Sequence, residues 1–251
     1  MQLLLSAIFT AFFLVWTLVY AAFFVVACLF LPIRGRFALA RVYAHSVLGV
    51  LGVLCGLRYE VHGRENFPDV PHVALWKHSS AWETVAQFVI GRPQSLVLKR
   101  ELMWIPFFGW GLALLRMIPI NRSAGASAVN LVISAGEQRL REGISVLVFP
   151  EGTRVAAGET RKYGVSGALL ASRTGCLVVP VAHDSGYYWP RRGLLKRRGV
   201  IHVSVGPPID ASGRDAREVN AEVQAWIEAE IVRIRAAQDA RAPAPAVSPT
   251  R

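Results

Sequence analysis

Val73-Ala74-Leu75-Trp76-Lys77-His78-Ser79-Ser80-Ala81-Trp82-Glu83-Thr84 passes from an apolar run into a helical pattern with no long loop between them. Residues 73–76 read as a short buried strand. Ser80 followed three residues later by Glu83 is a helix-start signal, the spacing of a capping box. His78 therefore sits at a strand-to-helix corner. An imidazole has a reference pKa of about 6.5 and takes up a proton near neutral pH, while a neighbouring carboxylate fixes its tautomer and stabilises the imidazolium. Such a pair can activate a hydroxyl. The same residues have a plainer reading, with Glu83 returning to the Ser80 backbone N–H as a cap and His78 a satisfied core histidine.

Beyond the corner, apolar strands alternate with helical patterns. Strands are expected at residues 95–98, 117–120, 145–149, 177–182 and 200–205. Between them, 102–115 is helical in part and 123–142 has Val129, Val132, Ile133 and Leu140 on one side; 167–173 is a short helix and 214–238 a long amphipathic one. Before the corner, Tyr59 and Val61 alternate with polar residues as a strand, and 63–71 is a loop. The pattern predicts an α/β fold with a mixed, largely parallel sheet flanked by helices.

The front of the chain differs. Residues 3–31 carry no charge over 29 positions, about 43 Å as a helix against a hydrocarbon core of about 30 Å. Met1-Gln2 gives no basic leader, the apolar run is long for a signal peptide, and no small-residue cleavage site ends it. A retained membrane-embedded helical segment is expected, able to span or to fold back. Arg34, Arg36 and Arg41 follow, which by the positive-inside rule puts the remainder on the cytoplasmic side of an inner membrane. Residues 42–57 form a second, shorter apolar stretch, interrupted by His45, that reads as a hairpin partner or interfacial helix. The expected organisation is membrane-anchoring helices over 1–57, an α/β domain over 58–238 and a disordered Ala- and Pro-rich tail over 239–251.

A formal charge of +11 implies an anionic partner: nucleic acid, a membrane surface or phosphorylated substrates. No zinc-finger, RNA-recognition or basic coiled-coil pattern supports nucleic acid, and the uncharged leader argues against it. Cys28, Cys55 and Cys176 lie far apart, and the six histidines have no metal-ligand spacing, so neither a disulfide framework nor a metal site is expected. Gly164-Val165-Ser166-Gly167-Ala168 is a poor nucleophile elbow, without a final glycine or a preceding strand. Arg191, Arg192, Lys196, Arg197 and Arg198 beside Tyr187, Tyr188 and Trp189 form a candidate headgroup-contacting patch, or a solvated basic loop.

Four expected strand ends carry polar residues: His78, Lys99-Arg100, Asn121-Arg122 and Glu151-Gly152-Thr153-Arg154. Ligands of open α/β sheets bind at the carboxyl ends of strands, so these groups are expected to converge. A histidine base beside several cations describes a site that deprotonates one group while holding an anion, most simply a phosphate. Taken singly, Arg122 is equally a solvated turn residue, and Glu151 with Arg154 an ordinary surface ion pair.

Together these residues resemble the membrane-bound glycerolipid acyltransferases, the group that includes lysophosphatidic acid acyltransferases. The family pattern H-x-x-x-x-D corresponds to His78-Ser79-Ser80-Ala81-Trp82-Glu83, with glutamate in place of the commoner aspartate. The second block is matched by Ile118-Pro119-Ile120-Asn121-Arg122, the third by Phe149-Pro150-Glu151-Gly152-Thr153-Arg154 and the fourth by Val178-Val179-Pro180-Val181. The resemblance implies acyl transfer from acyl-CoA or acyl-ACP, as co-substrate and with no cofactor, to the sn-2 hydroxyl of 1-acyl-sn-glycerol-3-phosphate. Another lysolipid, such as lyso-ornithine lipid, is the alternative acceptor. In this reading His78 is the base and Glu83 its partner, while Lys99, Arg122 and Arg154 hold the phosphate and Glu151, Gly152 and Thr153 shape the acceptor site. The rival from another class is a catalytically silent basic membrane scaffold.

Overall fold

The computed structural model describes residues 1–240; the tail expected to be disordered lies, from residue 241 onward, outside the described residues. Among the described residues eight strands form one sheet: β1 (Leu57–His62), β2 (Val73–Trp76), β3 (Gln94–Lys99), β4 (Ile118–Ile120), β5 (Ser145–Val148), β6 (Leu177–His183), β7 (Gly199–Val205) and β8 (Ile209–Asp210). Their order is β1-β7-β6-β2-β5-β3-β4, with β8 paired to β6. β6, β2, β5, β3 and β4 are mutually parallel, whereas β7 runs antiparallel to β6 and carries β1 parallel to itself. The sheet is therefore mixed and largely parallel. Its five-strand parallel block brings the carboxyl ends of β2, β3, β4, β5 and β6 to one edge, where ligands bind in such sheets.

Alternating residues along the strands feed two cores. Ala74 and Trp76 of β2 face the layer made by α1 (Gln2–Cys28), α2 (Ile33–Cys55) and α3 (Trp82–Ile90). Val73 and Leu75 face α5 (Ala126–Arg141), α6 (Ser166–Thr174) and α8 (Ala216–Asp239). Both faces of the parallel block are covered, which is why its strands read as continuous apolar runs. Gly167 of α6 lets that helix sit directly on the sheet, since a Cβ there meets Leu75 Cδ2 at 2.5 Å. Ser166 opens this packing helix and is not a nucleophile at a strand end.

The second apolar stretch is longer than its hydropathy indicates. α2 begins at Ile33 rather than near residue 42, with Pro32 at its start and Gly56, at φ 65°, ending it. Its arginines fit because two of them reach the domain: Arg36 donates to Leu114 O at 3.2 Å, and Arg41 to Phe88 O at 3.3 Å. α1 and α2 are joined by Thr17 Oγ1 to Tyr43 Oη at 2.6 Å and by Trp16 Nε1 donating to Ser46 Oγ at 2.7 Å. At the other end Gln2 donates to Cys55 O and Lys196 O. The hairpin is thus docked along its length on the domain, with Leu4, Leu14, Val15, Leu18, Val19, Phe23 and Val26 of α1 left exposed. Both helices are long and apolar enough to cross a membrane.

Candidate active site

His78 leaves the end of β2, and α3 starts four residues later. Its Nδ1 lies 2.9 Å from Glu83 Oε1. That same oxygen accepts the backbone N–H groups of Ser79 at 2.9 Å and Ser80 at 2.8 Å, while Ser80 Oγ accepts from Trp82 N at 3.1 Å. The cap and the dyad are therefore one structure: the carboxylate that closes the helix N-terminus also orients the imidazole. Glu83 is fully buried. Burial by itself pushes its carboxyl up, but the His78 hydrogen bond, the neighbouring His183 and His78 rings and the Ser80 N–H bring it down to about 2. An ionised carboxylate has only acceptors, so Nδ1 carries the hydrogen and the Nε2 lone pair is left free as a base. Phe149 stacks on the ring at 4.0 Å between centroids and 9° between planes, fixing its tilt.

The backbone of His78 is held from the third block. Its N–H donates to Glu151 Oε1 at 3.3 Å, and its carbonyl accepts from Val155 N at 2.8 Å. Glu151, expected at the acceptor, is buried behind the corner with Lys77 Nζ at 3.4 Å. Burial pushes its carboxyl up to about 7 against the pull of Lys77 and the His78 N–H. Lys77 in turn reaches Glu228 Oε1 of α8 at 2.7 Å, an oxygen that also accepts from Tyr163 Oη at 2.9 Å. Gly152 has φ 68° and open space where a Cβ would point, and its N–H closes a turn on Phe149 O at 3.0 Å. The position favours glycine and leaves room for a ligand. Thr153 is half-buried in the same turn.

The cations stand farther along the strand edge. β4 lies three strands from β2, about 14 Å by strand spacing. Arg122, just past β4, is exposed by area, yet partial desolvation is the main influence lowering its guanidinium, ahead of the charges of Glu101 and Arg154, so these side chains share one region. Lys99 at the end of β3 is 3.5 Å from Glu101 and mostly exposed. Glu101 is thus the local counter-charge, absent from the sequence expectation. A shallow apolar groove lies between α1, α2 and α4 (Phe108–Leu114), lined by Tyr20, Phe24, Tyr43 and Phe88 among others. His78 does not line it. Lys196, grouped with surface arginines by sequence, turns inward to Thr10 and the rings of Phe9 and Trp189, while Arg191, Arg192, Arg197 and Arg198 remain exposed.

A buried histidine–carboxylate pair at one strand end, with cationic side chains one to three strands away in the parallel block, can deprotonate one group beside an anion. The chain belongs to the Acyltransferase family, whose model matches residues 58–184 and so spans all four blocks. Among its relatives, it is 42% identical over 201 residues to the 1-acyl-sn-glycerol-3-phosphate acyltransferase of Pseudomonas aeruginosa, covering 78% of each chain. It is 26% identical over 214 residues to human 1-acyl-sn-glycerol-3-phosphate acyltransferase alpha, covering 84% of this chain and 75% of that one. The fold is similar to the crystal structure of the 1-acyl-sn-glycerophosphate (LPA) acyltransferase PlsC from Thermotoga maritima, with a TM-score of 0.79 at 21% identity over 94% of this chain and 96% of that one.

Proposed function

We propose that this chain transfers a fatty acyl group from acyl-CoA or acyl-ACP to the sn-2 hydroxyl of 1-acyl-sn-glycerol-3-phosphate, giving phosphatidic acid. The observation that carries the reading is the 2.9 Å contact between His78 Nδ1 and a buried carboxylate that this hydrogen bond, with the neighbouring rings and the Ser80 N–H, keeps ionised. The acceptor hydroxyl gives its proton to His78 Nε2 as its oxygen attacks the thioester carbonyl. The C–S bond then breaks, and the proton passes from His78 to the departing thiolate, so the cycle closes with no net proton and no covalent enzyme intermediate. Glu83 stabilises the imidazolium between the two transfers. Arg122 and Arg154 hold the acceptor phosphate, with Lys99 as a weaker contributor because Glu101 already engages it.

In this reading the hairpin holds the chemistry at a lipid surface. Because α1 and α2 are docked lengthwise, their exposed apolar flank lies in the bilayer while the domain stays against it. Arg191, Arg192, Arg197 and Arg198 adjoin the hairpin through Lys196 and Gly56 and suit anionic headgroups. We assign the domain to the cytoplasmic side of an inner membrane, where both thioester donors occur. Purified protein in detergent is expected to make phosphatidic acid from lysophosphatidic acid faster than it acylates lyso-ornithine lipid or phosphate-free monoacylglycerol, with either donor. Equal use of the phosphate-free acceptor would remove the phosphate reading, and no acylation of any lysolipid would favour a silent scaffold.

A further inference from the structure

Glu83 is one methylene longer than the aspartate common in its family, and its second oxygen has a partner from a remote part of the chain. Oε1 serves the corner alone, accepting from His78, Ser79 and Ser80. Oε2 instead accepts from Ser185 Oγ at 3.0 Å. Ser185 opens α7 (Ser185–Tyr188), just after β6, and is fully buried. Its hydroxyl also lies 3.0 Å from His183 Nδ1, and His183 Nε2 lies 2.8 Å from the Lys77 carbonyl. The chain Lys77–His183–Ser185–Glu83–His78 thus returns to the residue preceding the base.

Counting hydrogens defines the donors. A carbonyl only accepts, so His183 Nε2 carries a hydrogen. Burial disfavours a second one on this ring, holding its pKa below the usual value, and Nδ1 then offers a lone pair to the serine. Ser185 has one hydroxyl hydrogen and three polar neighbours, Glu83 Oε2, His183 Nδ1 and, at the longer distance of 3.4 Å, Ser79 Oγ, which can itself donate; the ionised carboxylate is the strongest acceptor among them. The serine is held for this task. Asp184 accepts from His202 N at 3.0 Å and from Gln238 Nε2 at 2.7 Å, tying the segment to β7 and α8. Gly186 lets it press on the corner, since a Cβ there meets Ser79 Cβ at 2.8 Å.

We propose that Ser185 is a positioning residue for the acyl transfer: it anchors the second oxygen of Glu83, allowing a glutamate to present its first oxygen to His78 where a shorter aspartate suffices elsewhere in the family. His183 orients the serine. The proposal rests on His78 being the base. An aspartate at position 83 retracts the carboxylate by about one C–C bond, about 1.5 Å, so it cannot bridge His78 and Ser185 together.

The test is a double-mutant cycle on the full chain in detergent, with lysophosphatidic acid varied up to saturation at a fixed, saturating level of one donor, alongside thermal melts. Ser185→Ala and Ser185→Cys are each expected to lower kcat about tenfold, the scale of a hydrogen bond to a charged group, with KM changed less than about twofold. In the Glu83→Asp background Ser185→Ala is expected to have no further effect. Cysteine fills the serine's volume, so it decides the matter alone if the alanine variant does not fold or if Glu83→Asp falls below detection. Wild-type kcat in Ser185→Cys, an equal loss in both backgrounds, or a change confined to KM would overturn the proposal. His78→Ala is assayed in parallel: if it stays active the base assignment fails, whereas an inactive His78→Ala with unaffected serine variants refutes the serine's role alone.

Discussion

The corner and the rim are built in opposite ways. At the corner, both oxygens of Glu83 and the Nδ1 of His78 are bonded, the carboxylate is buried, and Phe149 fixes the ring from one side. At the rim, Arg122 lies at the surface in the field of Glu101 and Arg154, and Lys99 is already engaged by Glu101. A base must be aimed before substrate arrives, because proton transfer tolerates little displacement. An anion site gains from the reverse arrangement, since cations only partly balanced by Glu101 are better compensated when a phosphate enters.

Breaking the two regions separately therefore has different kinetic outcomes. The largest effect is expected at the corner: His78→Ala lowers kcat about a thousandfold while the acceptor KM stays within a few-fold, as read by steady-state kinetics. Arg122→Ala and Arg154→Ala are each expected to raise the lysophosphatidic acid KM about tenfold with kcat little changed, and higher salt weakens acceptor binding in the wild type but less in the variants.

The smallest effect sharpens the boundary between the regions, at Glu151 behind His78. Its folded carboxyl is raised to about 7, so its contribution to stability is complete below the ordinary carboxylate range and is lost as pH rises through 7. Glu151→Gln removes that loss. Its stability relative to wild type is expected to improve between pH 5 and pH 8, by about 3 kcal/mol at most, in denaturant titrations of the detergent-solubilised protein. A constant difference across that range would show that Glu151 is ionised throughout.

The parallel block was legible in the sequence because short β-branched runs ending in polar residues leave little choice of fold, and the strand ends at His78, Lys99, Arg122 and Glu151 do share one edge. The choice between cap and dyad at Glu83 was no choice, since one oxygen performs both tasks. Other roles depend on contacts that local spacing cannot reveal. Glu151 is drawn inward by Lys77, which is itself fixed by Glu228 on the last helix. Ser185 and His183 carry no motif; only the pairing of β6 beside β2 brings them to the corner. Likewise α2 starts early because Arg36 and Arg41 bond to carbonyls of the domain, which hydropathy scores as interruptions. Lys196 lies among arginines in sequence but is drawn inward to Thr10, Phe9 and Trp189.

Division of labour between a buried base and an open cationic rim is tested most directly by the ratio of kcat/KM for lysophosphatidic acid over 1-monoacylglycerol, measured in wild type, His78→Ala and the Arg122→Ala/Arg154→Ala pair. The expected result is a ratio that the histidine variant leaves unchanged while losing activity on both acceptors, and that the arginine pair collapses toward one. A ratio that survives removal of both arginines would contradict the account.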